Sequence, residues 1–177
     1  SGLLSRVVIA DVAGHGEPVA RVSDEIHTLL RRYMDRLGGE QKLLYDLNLR
    51  LIDGGLDSMV TAAAIGYYPH SRTLSVAYAG HPPAWVYRRN TGRWSRLTVP
   101  ARPAGDRRPF DLPLAITPDA RFQCRRERMS VGDRLLILTD GVLETPGPDG
   151  RIFGDERVES LLARLSAEPP RTVSEAL

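Results

Sequence analysis

The chain has 177 residues, of which 42% are apolar and 26% charged, with a net charge of +2. That bounds it to one globular domain with a sizeable core; no apolar run reaches membrane-spanning length and no signal peptide is visible, so a cytoplasmic setting without a membrane segment is expected. The lone Cys124 excludes an internal disulfide and a cysteine-based zinc site, and the arginines are scattered among acids, which argues against a nucleic-acid partner.

The first predicted element is a strand over residues 7–10, Val-Val-Ile-Ala, apolar enough to be buried on both faces. It ends on Asp11, and Gly14 and Gly16 then allow a sharp turn. A helix over 17–37 follows. Pro18 sits in its first turn, and Val22, Ile26, Leu29 and Leu30 follow helical spacing. A second helix over 40–52 carries Leu43, Leu44, Leu47 and Leu51 on one face, and Asp53-Gly54-Gly55 stops it.

Strands come next, over 59–68, 73–79, 84–88 and 94–97, read as an antiparallel meander with short turns. Thr61 lies inside the first of them, and no base is placed beside it for nucleophilic work. Residues 100–113 form a long proline- and arginine-rich loop, either functional or mobile. An outer strand over 121–129 leads through Val131-Gly132-Asp133 to a second apolar strand ending on Asp140, then Gly141. A third helix is expected over 155–165. Thr172-Val173-Ser174-Glu175 has the form of a capping box, which announces a further helix just where the chain stops at Leu177, so a domain incomplete at both termini is expected. Strand, two helices, several strands and a helix make an α+β chain.

Two strands that each end in Asp suit a hard cation, because carboxylate, carbonyl and water oxygens favour Mg²⁺ or Mn²⁺. The competing local reading makes Asp11 a helix-start residue and Asp140-Gly141 a hairpin turn. Gly14-His15-Gly16 has the opening of a dinucleotide loop, but Val19 stands where the third glycine belongs and no strand–helix–strand unit follows. His15 and His81 each sit beside glycine in a loop at a strand end. Glu144 follows Asp140 closely; it either orients water at a cation or belongs to a helical turn. No serine or cysteine nucleophile signature is present.

Taken together and in order, Asp11-Val12-Ala13-Gly14-His15-Gly16, Ala79-Gly80-His81-Pro82-Pro83, Gly132-Asp133-Arg134-Leu135-Leu136, Thr139-Asp140-Gly141-Val142-Leu143-Glu144 and Phe153-Gly154 resemble the PPM-type serine/threonine phosphatases of the stage II sporulation protein E kind. The resemblance covers nearly the whole chain. It implies a four-layer αββα sandwich of antiparallel sheets flanked by helices, over residues 1–177 as one domain. It implies two metal ions, Mn²⁺ or Mg²⁺, with Asp11 bridging them, the Val12 carbonyl on one and Asp140 on the other. It implies that metal-activated water hydrolyses a phosphoserine or phosphothreonine on a regulatory protein, an anti-sigma-factor antagonist. Gly14, His15, His81 and Glu144 are then substrate-pocket candidates, and sensory domains are expected elsewhere in the parent chain. The family's further acidic motifs, one before the strand at residue 7 and one after Leu177, are not in this sequence, and Ala115 stands where the family usually has glycine. The alternative is a catalytically inactive phosphatase-fold module that binds or senses, and this fragment is one the missing motifs would leave poor in metal.

Overall fold

The computed structural model describes residues 4–14, 17–33, 39–55, 58–101, 104–147 and 150–177. The chain divides into two compact units: Ser1–His81 with Val99–Arg128, and Pro82–Thr98 with Met129–Leu177.

The first unit holds a four-stranded antiparallel sheet in the order β1-β2-β3-β6. Its strands are β1 (Ser5–Val12), β2 (Val60–Tyr68), β3 (Thr73–Ala79) and β6 (Cys124–Arg128). The helices α1 (Glu17–Tyr33) and α2 (Glu40–Asp53) cover one face. That face is built from the alternate residues Val8, Ala10 and Val12 of β1, Val60, Ala62 and Ala64 of β2, and Ala77 and Ala79 of β3. The small alanines let α2 approach closely. Leu44, Leu47 and Leu51 fill the gap and are 0–1% exposed; burying each such leucine is worth about 2 kcal/mol. The predicted extension of the first helix through Leu37 falls on residues 34–38, outside the described ones.

Polar groups are also buried here. Glu40, the first residue of α2, is fully buried, and its carboxylate stands 3.6 Å from the Arg6 guanidinium. The Ser75 hydroxyl donates to the other oxygen of Glu40. Glycine is required at the facing position in β2, since a Cβ on Gly66 would collide with the Glu40 carboxylate.

The second unit holds a three-stranded antiparallel sheet in the order β5-β4-β7, from β4 (Trp85–Arg88), β5 (Arg93–Arg96) and β7 (Arg134–Leu136). Three helices belong to it: α3 (Asp140–Glu144), α4 (Gly154–Arg164) and α5 (Pro170–Ala176). Its core joins Trp85 of β4 to Val158 and Leu162 of α4 and Val173 of α5.

The fold is α+β, as expected, and four expectations are corrected. The first strand is not buried on both faces: β1 is an edge strand of its sheet and Val7 is 53% exposed. The strands 59–97 are not one meander. β2–β3 and β4–β5 are hairpins in different sheets, and residues 80–83 carry the chain from one to the other. The second apolar strand stops at Leu136, and Asp140 opens a helix instead. A carboxylate in a first helical turn is favoured by the unpaired N–H groups there, with Thr139 as the extended N-cap residue. Last, Thr172 caps nothing. The final helix begins two residues earlier at Pro170, whose missing N–H is harmless in the first turn. This helix of seven residues is held by the burial of Val173 rather than by a cap.

Candidate active site

Antiparallel pairing sets the site end of the first unit. Asp11, next to last in β1, stands opposite Thr61 near the start of β2. Ala62 in turn bridges Gly80, just past the end of β3. Asp11, Val12, Thr61, Gly80 and His81 therefore occupy the same end of one sheet. The Asp11 side chain is half-buried and His81 is 4% exposed.

The turn after Asp11 is prepared by local chemistry. The Ala13 N–H donates to the Met59 carbonyl at 2.9 Å, so pairing runs one residue past the strand. Gly14 then takes φ +110°, a conformation that residues with a Cβ rarely adopt. His15 and Gly16 lie outside the described residues.

A loop closes over this end. The Leu114 N–H donates to the Val60 carbonyl and the Gly80 N–H to the Asp111 carbonyl, both at 2.8 Å. Pro113 lies so close to Gly80 that a Cβ there would stand 2.6 Å from its ring. The Asp111 carboxylate accepts from the Gln123 N–H at 2.7 Å and from its side-chain amide at 3.1 Å. Asn48 of α2, fully buried, accepts from the Ala115 N–H and donates to the Thr117 carbonyl, both at 2.9 Å. Asp111 and Ala115 are held at φ +54° and +66°, which strains residues with a Cβ and leaves the loop over-determined by these bonds. Ala115 is the position where a glycine would be at ease.

In the second unit, Asp140 is the half-buried first residue of α3 and Glu144 its exposed last one, one turn on. The helix is tied off locally. The Thr145 hydroxyl donates to the Gly141 carbonyl at 2.5 Å, the Phe153 N–H donates to the Thr145 carbonyl at 2.8 Å, and Leu143 packs on the core around Val158.

The sequence reading missed Asn48, Glu40 and the clamp on residues 111–117. A polar residue inside a leucine-rich helix face was the available signal for Asn48. Among the described residues, no three His, Cys, Asp or Glu side chains are grouped as a metal cluster. The Asp11 carboxylate and the Val12 carbonyl of the first unit are hard oxygens, and so, in the second unit, is the Asp140 carboxylate. That donor class fits Mg²⁺ or Mn²⁺, with water completing the shell.

Residues 4–177 match the family model described as Stage II sporulation protein E (SpoIIE). The chain belongs to the SpoIIE family. Solved structures of this kind share its fold. The RsbU and RsbW domains of a Mycobacterium tuberculosis protein match at 23% identity and TM-score 0.74, over 94% of this chain and 44% of that one. The SiaA-PP2C domain of Pseudomonas aeruginosa matches at 19% identity and TM-score 0.75, over 99% of this chain and 71% of that one. The phosphatase domain of SpoIIE from Bacillus subtilis matches at 16% identity and TM-score 0.63, over 98% and 69%. No curated protein matches the chain. The chain thus has a PP2C-type phosphatase fold, and it spans less than half of the first of these relatives. None of its described helices is long and apolar enough to cross a membrane.

Proposed function

We propose that residues 1–177 act as one metal-dependent phosphatase domain that hydrolyses phosphoserine or phosphothreonine on a regulatory protein in the cytoplasm. The proposed substrate is a phosphorylated anti-sigma-factor antagonist. The observation that carries this reading is the family match along residues 4–177, with Asp11 on a clamped sheet end inside the strand–turn–helix that the family resemblance singles out. The relative RsbX was solved in complex with magnesium, which supports a divalent ion as cofactor.

In this proposal Asp11, the Val12 carbonyl and Asp140 hold Mn²⁺ or Mg²⁺. The ions, once bound, lower the pKa of water and polarise the phosphoryl oxygens. The protein's own residues do the rest. The β1–β2 ladder fixes the backbone at Asp11, so the carboxylate is carried on a rigid strand end. His81, buried beside Gly80, and Glu144, the exposed last residue of α3, are assigned to the substrate pocket in the same proposal. No protein nucleophile is required, which agrees with Thr61 lying in a sheet ladder.

The test is manganese-dependent release of phosphate from a phosphorylated antagonist protein. Asp11→Asn and Asp140→Asn are each expected to lower kcat by at least a hundredfold without unfolding the chain. Full activity in either variant contradicts the ligand assignment, and no release by the parent chain favours the binding or sensing role.

A further inference from the structure

A groove in the second unit encloses about 570 Å³ and is lined by Tyr87, Arg89, Asp133 and Arg134, with Ala167 and Pro170 on its far wall. Two arginines line it. Arg134 lies over the Tyr87 ring, 4.9 Å from its centroid, and donates to the main-chain carbonyl of Glu168. Arg89 is exposed and its stem crosses Gly132, where a Cβ would collide with Arg89 Cδ. Glycine at 132 leaves the space in which this side chain lies.

The carboxylate lining the groove is already engaged. Asp133 accepts from the Ser130 N–H at 2.9 Å, the Arg89 N–H at 3.0 Å and the Arg88 guanidinium at 3.0 Å. Its side chain is 4% exposed, so it neutralises Arg88 and offers little to its neighbours. Arg89 and Arg134 therefore have no carboxylate partner among the described residues. Elsewhere Arg6, Arg96, Arg108, Arg125 and Arg171 each form an ion pair with Asp or Glu.

We infer that this groove binds an oxyanion, a carboxylate or a phosphate, carried on an acidic segment of a protein partner. A guanidinium takes either anion through paired N–H bonds, and one already fixed by an aromatic ring and a carbonyl loses little freedom in doing so. The volume suits a peptide side chain with its neighbours rather than a bare ion. The inference stands apart from the proposed metal site, since its test requires no turnover.

Three labelled peptides of equal length, bearing phosphoserine, glutamate or alanine at the centre of an otherwise identical sequence, are titrated with the full chain by fluorescence anisotropy. At least one anionic peptide binds, the alanine peptide binds at least tenfold more weakly, and higher salt weakens the complex. Arg89→Gln, at an exposed position that leaves the fold intact, weakens it at least fivefold. Arg134→Gln does the same, and Arg134→Lys recovers part of the loss. Equal binding of all three peptides, binding of none, or anionic binding unchanged by Arg89→Gln overturns the inference; the last result would mean that the peptide is held elsewhere on the chain.

Discussion

In the first unit an ion pair, Arg6–Glu40, and the amide of Asn48 lie in the interior, each facing groups from other elements. In the second unit the ion pairs Arg88–Asp133 and Arg96–Asp155 sit on partly exposed side chains, around a centre of Trp85, Val158, Leu162 and Val173. The two candidate carboxylates differ in the same way. Asp11 is carried by a strand ladder whose end is bonded to a loop, whereas Asp140 rides on a helix of five residues anchored by local bonds and Leu143. The contrast teaches that the first unit is vulnerable to loss of single polar partners. The second depends on packing, with charge acting as a modulator.

The largest expected effect follows from breaking the buried pair. Glu40→Ala removes the buried carboxylate that faces Arg6 and accepts from the Ser75 hydroxyl, and a loss of about 3–5 kcal/mol in urea unfolding is expected. A loss below about 1 kcal/mol would mean that the interior pair is dispensable and the contrast false. Next comes Asn48→Ala, which orphans the Ala115 N–H and the Thr117 carbonyl. It is expected to cost about 1–3 kcal/mol and to speed hydrogen exchange at the Ala115 and Leu114 amides.

A pH titration probes the second unit. Burial alone would raise the Asp133 pKa, but the N–H groups of Ser130 and Arg89 and the Arg88 guanidinium outweigh it and hold the carboxyl below its usual range. A depressed carboxyl stabilises the fold above the unfolded pKa, about 3.9, and that contribution is lost as pH falls through the lower folded value. The melting temperature of the parent chain should fall below about pH 4, and Asp133→Asn should flatten part of that slope while melting lower than the parent at neutral pH. The smallest effect is a gain. Ala115→Gly relieves a left-handed backbone that disfavours a Cβ, offset by the entropy of glycine, for a net stabilisation under about 1 kcal/mol.

The helices and most strands were legible because their signals are local. Leu43, Leu44, Leu47 and Leu51 mark a helix face, and the alternation in Thr73–Ala79 marks a strand with the bounds the structure gives. What failed depended on distant partners. Residues 137–139 are as apolar as a strand, yet β4 offers pairing only as far as Leu136, so Asp140 was free to start a helix. Thr172 had the spacing of a capping residue, but Pro170 and the buried Val173 set the helix start. Of the candidate site, the sheet-end position of Asp11 was readable from the apolar run before it. The buried hydrogen bonds of Asn48 and the strained loop it clamps join residues 67 or more apart in sequence, and no short pattern encodes them.

We propose that Asp11 and Asp140 are ligands of one cation site. Crystals of the chain grown with manganese, with anomalous diffraction recorded at the manganese edge, test it most directly. Manganese peaks coordinated by carboxylate oxygens of both residues, with the Val12 carbonyl in one shell, are the predicted result. Peaks held by other side chains, with Asp11 and Asp140 outside coordination distance of a common site, would contradict it.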